Sequence, residues 1–389
     1  MMKSAFFRST VVILGLLLQF NVWAQTAHIL HVETAGTLPA LIADNEKYEI
    51  TDLTLTGDLN GTDIRFIREM AGRTVNGGTT SGKLSVLNLS GANIVSGGDY
   101  YYVSSSNVYR TANNVISTNM FYQCNKLTNV ILPNSVTLIG MEAFYGCTGL
   151  TSITIGNSVT SIGNHAFYGC TGLKSVTIPN SVTSIGDGSY TERGVFQGCT
   201  GLTSVTIGNG VTRIRERTFY GCTGLTSITI GNSVIWIVHD AFSGCTKLKE
   251  FIVSAQNQNY SVIDGVLCNK DKTSILIFPQ GKSSTYTIPA SVTSIGGYAF
   301  YGCTGLTSVT IGNSVTSIGD GAFYGCTGLT EIHSKNPKPP IIYYSNGSHN
   351  SFYNVNNNIC TLYVPKGSKS AYQSAEGWNA FSNIIETNF

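Results

Sequence analysis

The sequence predicts a β-rich α/β solenoid of 23-residue coils, with a parallel β-sheet on one face and short helical or 3₁₀ turns opposite. Two observations carry that prediction. The run AFYGCTGLTSITIGNSVTSIG at 143–163 is followed almost at once by AFYGCTGLKSVTIPNSVTSIG at 166–186. The cysteines mark the step: Cys147 to Cys170, Cys199 to Cys222, Cys222 to Cys245 and Cys303 to Cys326 are each 23 residues apart. A fixed period of this size is the signature of a stacked repeat. One unit cannot bury its own apolar face, so its neighbours supply the core.

At the start of the chain, Lys3 and Arg8 precede an apolar run from Val11 to Phe20, and Val22-Trp23-Ala24 suits cleavage after a small residue. Residues 1–24 therefore read as a signal peptide, because the run is too short to span a bilayer. No cysteine lies near the cleavage point, so a lipid anchor is not expected. Residues 25–117 read as divergent N-terminal capping coils. Within them ITDLTLTGDLNG (50–61) and KLSVLNLSGANI (83–94) are coil-like, and TDIRFIREMAG (62–72) between them has a helical pattern.

The regular part spans 118–333, and one coil justifies its elements. Leu150, Ile153 and Ile155 read LxxIxI, and period-two alternation points both isoleucines to one face and Ser152 and Thr154 to the other. Gly156-Asn157-Ser158 is a turn. Val159 and Ile162 form a second short extended piece. Asn164-His165-Ala166-Phe167 suits one helical or 3₁₀ turn, and Gly169 and Gly172 allow tight corners beside Cys170. The step from Cys170 to Cys199 is 29 residues, six more than the repeat. An irregular excursion occupies 251–290, where VIDGVLCNKDKTSILIFPQGK reads as hairpin-like. Residues 334–389 read as a C-terminal capping region.

Composition narrows the functions. Net charge is +2 and only 11% of residues are charged, too weak a field for a nucleic-acid or anionic-membrane partner. No membrane span is expected once the signal is removed. Ten cysteines in an exported chain would ordinarily suggest disulfides. Their shared place beside the core Phe points instead to buried thiols. There is no HExxH, CxxC, GxSxG or phosphate-binding glycine loop. His165 and His239 fall in turns, where exposed histidines are expected, and Asp187, Glu192 and Asp320 are isolated turn acids. No catalytic residue, cofactor site or metal site is expected.

Four surface features remain. The strand pairs Ser152/Thr154, Ser175/Thr177, Ser204/Thr206, Ser227/Thr229 and Ser308/Thr310 form either a solvated sheet face or a flat hydroxyl array for a partner. Tyr122, Tyr145, Tyr168, Tyr220, Tyr301 and Tyr324 follow the core Phe and form a column near the coil rim, either for recognition or to shield the edges. Arg213 and Trp236 replace the serines found at Ser161 and Ser184, in the same register of adjacent coils, where a cation–π pair is expected. The loops at 97–110 and 341–355 are rich in Tyr, Asn, Gly and Ser.

The pattern LxxIxIGNSVTSIGxxAFYGCTG resembles the BspA-like class of leucine-rich repeat, found on secreted and surface proteins of anaerobic bacteria. The segments DGVLCNKDKTSILIFPQGK and TLYVPKGSKSAYQSAEGWNAFSNIIE also resemble that family, and the match is dense from Thr118 to Ile385. The resemblance implies a secreted or outer-surface location and adhesion to a protein or glycan. The reading is a non-catalytic binding protein whose candidate contacts are Arg213, Trp236, Tyr145, Tyr168, Tyr220, Tyr301 and Tyr324. The alternatives are a stalk without its own ligand and a glycan-acting enzyme with a site in the excursion.

Overall fold

The computed structural model describes residues 27–105, 107–186, 194–344 and 350–389. The expected signal peptide at 1–24, the turn acids Asp187 and Glu192, and parts of the two aromatic loops lie outside the described residues.

The coil forms as its pattern dictates. In the coil from Leu150 to Cys170, the strand Ser152–Thr154 is followed by a turn closed by Val159 N donating to Gly156 O (3.2 Å), then the short strand Ser161–Ile162. Leu150, Ile153, Ile155, Val159, Ile162, Ala166, Phe167 and Cys170 are all buried. Parallel pairing sets like on like: Ser175 faces Ser204, Val176 faces Val205, Thr177 faces Thr206 and Ile178 faces Ile207. The six extra residues before Cys199 therefore leave the register intact. The opposite corner is a string of i→i+3 turns, with Tyr168 N bonded to His165 O (3.0 Å) and Cys170 N to Phe167 O (3.2 Å). A continuous 3₁₀ helix forms at His239–Phe242. Elsewhere left-handed residues such as Glu142, His165 and Arg217 interrupt the helical path.

Two ladders run through the core. Phe121, Phe144, Phe167, Phe196, Phe219 and Phe242 stack with centroids 5.2–5.6 Å apart, and Phe278, Phe300, Phe323 and Phe352 continue the pattern after the excursion. Beside them all ten cysteines are free and buried. The hydrophobic core forms two clusters that meet at the strand Val266–Asn269: Leu267 belongs to the first, Val266 and Cys268 to the second.

The main strands were expected to stack in one sheet. They form three: five strands from His28–Val32 to Ser152–Thr154, four from Ser175–Ile178 to Glu250–Val253, and five from Thr285–Thr287 to Asn383–Thr387. At the first break the coils stay joined through Lys174 N and Thr151 O (3.1 Å). The second break has a clear cause. The excursion is a hairpin, with Tyr260–Ile263 antiparallel to Val266–Asn269 and the latter antiparallel to Ser274–Ile277. It wedges between the coils on either side. Buried Asn257 launches it by donating to Gly231 O (2.9 Å) and Val234 O (3.2 Å) and accepting from the backbone N–H groups of Asn259 and Tyr260.

The ends are sealed. At the N-terminal end the helix Gly61–Met70 starts at Asn60 with a capping box. Buried Asp63 accepts from the N–H groups of Gly36, Leu38 and Asn60. At the other end Tyr372, Trp378 and Phe381 cover the last coil, and the Trp378 indole donates to Pro340 O (2.8 Å).

Candidate binding surface

The Ser/Thr rows are mostly part of the backbone ladder. Thr151, Thr203, Thr226, Thr307 and Thr330 each donate their hydroxyl to a carbonyl of the preceding coil, for example Thr151 to Thr128 O at 2.9 Å. The outward pairs such as Ser175/Thr177 and Ser204/Thr206 are exposed and uniform. A partner meeting only this lattice would find the same surface one coil further on.

The separate row of short second strands, with Ser161 and Ser184, is broken at Arg213–Ile214 and Trp236–Ile237, two strands paired in parallel with Arg213 directly opposite Trp236. Both side chains are exposed, and Trp236 is 59% exposed. The cation–π contact expected between them is not among those the described residues make. Both side chains project into solvent from two-residue strands, so neither ring nor guanidinium is held by burial.

The tyrosine column is two ladders. Tyr122, Tyr145 and Tyr168 stack at 5.1 and 4.7 Å, extended backwards by Tyr102. Tyr301 and Tyr324 stack at 5.2 Å and lead on to Tyr353. Gln197 and Ser243 hold the tyrosine position in the coils on either side of Tyr220, which leaves Tyr220 outside both ladders. It is 41% exposed, with the Arg217 guanidinium 5.6 Å from its ring centre. Tyr145 and Tyr168 thus belong to a different part of the solenoid from Trp236, while Tyr301 is linked to it through His239.

That link was not foreseen. His239 stacks on Tyr298 (4.3 Å, 17°) and meets Tyr301 edge-on at 6.3 Å. His239 also lines a groove of about 290 Å³, together with Trp236, Tyr260, Ile277, Gly296 and Gly297 among others. The residue is exposed in total area, yet partial desolvation of the imidazole lowers its pKa, against the raising pull of Asp240, Glu216 and Asp320. The Tyr260 hydroxyl donates to Ile235 O (3.2 Å), and burial raises its pKa. Tyr260 and Tyr298 lie outside the repeat consensus, one in the excursion and one in the corner just after it, so periodicity alone gave no reason to single them out.

His165 departs from expectation. It is only 5% exposed, on a left-handed backbone (φ 56°), with its ring edge-on to Tyr168 at 6.2 Å. Its Nδ1 lies 3.5 Å from Oε1 of Glu142, the equivalent residue one coil earlier. Among the described residues no group of three or more His, Cys, Asp or Glu side chains is placed to hold a metal ion. No described helix is long and apolar enough to cross a membrane.

A comparison with curated proteins finds no match. Among solved structures, a leucine rich cell surface protein from Faecalibacterium prausnitzii is 27% identical, covering 74% of this chain and 86% of the other with a TM-score of 0.44. A leucine-rich repeat protein from Bacteroides ovatus is 24% identical, covering 74% and 79% with a TM-score of 0.40. The family described as BspA type leucine rich repeat region matches in six copies over residues 114–194, 190–281 and 274–384. With most of its length matched in this way, the chain belongs to the BspA-type leucine-rich repeat family.

Proposed function

We propose that this is an exported, non-catalytic recognition protein that binds a protein or glycan at the outer cell surface through the coil face around Arg213 and Trp236. The observation that carries the reading is their pairing: Arg213 lies opposite Trp236, both exposed, in a row that is serine in neighbouring coils. Trp, Tyr and Arg are the residue types that most often dominate interface energies. On this reading Tyr220, Tyr301 and Tyr324 are further candidate contacts. Tyr145 and Tyr168 form a second aromatic strip further along the solenoid. The signal-like segment at 1–24 and the family's occurrence on secreted and surface proteins support export.

The test is capture of partners from host matrix proteins and glycan arrays by the full chain and by the double variant Arg213→Ser, Trp236→Ser. The variant restores the repeat consensus and should fold as before. Loss of capture in the variant is expected. Equal capture by both chains moves the site elsewhere, and no capture by either favours a stalk that only sets length. N-terminal sequencing of the protein from culture medium and cell envelope tests export.

A further inference from the structure

We propose that the groove between Trp236–Ile237 and the excursion hairpin binds an uncharged glycan, with Trp236 as the platform for one sugar ring. The proposal rests on the reading of the chain as a recognition protein and assigns that face a ligand class.

The groove exists because the stack is interrupted. In the regular solenoid a second strand such as Ser161–Ile162 pairs with a neighbour on each side. Trp236–Ile237 pairs with Arg213–Ile214 alone, and its other edge is open. The next second strand, Ser274–Ile277, turns that side to the hairpin strand Val266–Asn269 instead. Trp236, His239 and Tyr260 then present rings along one cleft with Ile277, while Gly296 and Gly297 leave part of its wall without side chains.

Size and chemistry select the occupant. A volume of about 290 Å³ lies just below the range for drug-sized ligand sites, about 300–1,000 Å³, and suits one ring-sized unit. Apart from His239, whose pKa is lowered, no residue lining the groove is acidic or basic, so a charged ligand would lose hydration with no fixed counter-charge in the lining to replace it. The polar groups are the Tyr260 hydroxyl, the His239 ring and the open backbone edge of Trp236–Ile237. With its pKa lowered by burial, the imidazole is neutral at pH 7 and offers one donor and one acceptor. A pyranose carries apolar C–H faces and a rim of hydroxyls. Flat rings with neutral donors and acceptors between them match both parts. A peptide adding to the open edge would have only a two-residue strand to pair with, too short to fix its register.

The test is titration of the full chain with cellohexaose, maltohexaose and N-acetylchitohexaose, with hyaluronan as the charged control, followed by calorimetry and tryptophan fluorescence. Trp378 is fully buried, and a Trp23→Phe background leaves Trp236 as the indole that reports on the groove. At least one neutral glycan should bind saturably. Trp236→Ser should weaken it by about tenfold or more, as for a truncated aromatic hot spot, while Trp236→Phe retains most of the affinity. Both variants should keep the wild-type melting temperature. No saturable binding of any neutral glycan, equal or tighter binding of hyaluronan, or an unchanged Kd in Trp236→Ser overturns the proposal. A protein partner captured in a Trp236-dependent way while the glycans fail overturns the glycan assignment and leaves the recognition reading standing. Absence of any partner overturns both.

Discussion

The thiol of Cys170 donates to the carbonyl oxygen of Phe144, one coil earlier, at 3.1 Å. The same bond joins Cys147 to Phe121, Cys199 to Phe167, Cys222 to Phe196, Cys245 to Phe219 and Cys326 to Phe300. Each of these cysteines is therefore both a small buried hydrophobe and a second donor to a carbonyl that already accepts the backbone N–H of the cysteine in its own coil, such as Phe144 O from Cys147 N (3.2 Å).

These thiols should make the fold sensitive to alkali. Burial pushes Cys222 and Cys360 up to about 12 and Cys268 up to about 11, and raises Cys124, Cys147, Cys170, Cys199, Cys245 and Cys303 as well. Below the ordinary thiol pKa of 9.0 both states hold the proton and their contribution is intact. As pH rises from there toward the folded values, the unfolded chain loses protons first, so stability falls. At one unit above 9.0 the loss is about 1.4 kcal/mol per thiol. Melting temperature measured from pH 7 to 11 should be level up to about pH 8, begin to fall as pH approaches 9, and drop steeply above it. A flat curve to pH 11 would contradict this environment for the cysteines.

Thiol titration should tell the same story. An aromatic disulfide reagent at pH 8 should find few reactive groups in the folded chain and nearly all ten cysteines after denaturation without reductant. Recovery of almost none after denaturation would mean that the cysteines are bridged.

Phe167→Ala should cost about 3–5 kcal/mol, because Phe167 is fully buried and stacks on Phe144 at 5.4 Å and on Phe196 at 5.2 Å. In a repeat array the loss should be felt locally, so hydrogen exchange in the coils on either side should accelerate before the chain ends respond. Unchanged exchange there would refute the packing.

Two glycines with the same sequence neighbours should behave differently. Gly201 and Gly305 both follow Cys-Thr and precede Leu. A Cβ on Gly201 would lie 2.2 Å from the Thr171 carbonyl oxygen in the preceding coil, whereas a Cβ on Gly305 meets nothing within 4 Å. Gly201→Ala should therefore destabilise by about 1–3 kcal/mol, as overpacking does. Gly305→Ala should be neutral or slightly stabilising, by up to about 1 kcal/mol. Equal melting temperatures for the two variants would contradict the stacking described for these coils.

The repeating part of the molecule was readable from its residues because the physics repeats with them. Alternation in LxxIxI set the inward faces of Ser175–Ile178 and Ser204–Ile207, and the 23-residue step placed Phe on Phe and Cys under Cys. It also placed Arg213 opposite Trp236, since parallel pairing of equal coils carries register directly. The helix near 62–72 and the hairpin in the excursion were legible from local pattern.

What the chain could not show from spacing alone arises where neighbouring coils are unlike. Gln197 and Ser243 isolate Tyr220 from both tyrosine ladders. The turn Pro279–Lys282 is tied to Leu248, whose carbonyl accepts from Gly281 N (2.8 Å), and Gly305 in the coil after the excursion has no neighbour within 4 Å of a Cβ. The hairpin leaves Trp236–Ile237 with an open edge and brings Tyr260 and His239 to it from different segments. The sequence alone determined the coil, its core and its register, because each depends on contacts between copies of one pattern. The groove was decided by tertiary structure, because it depends on how two regular stacks meet across one irregular coil.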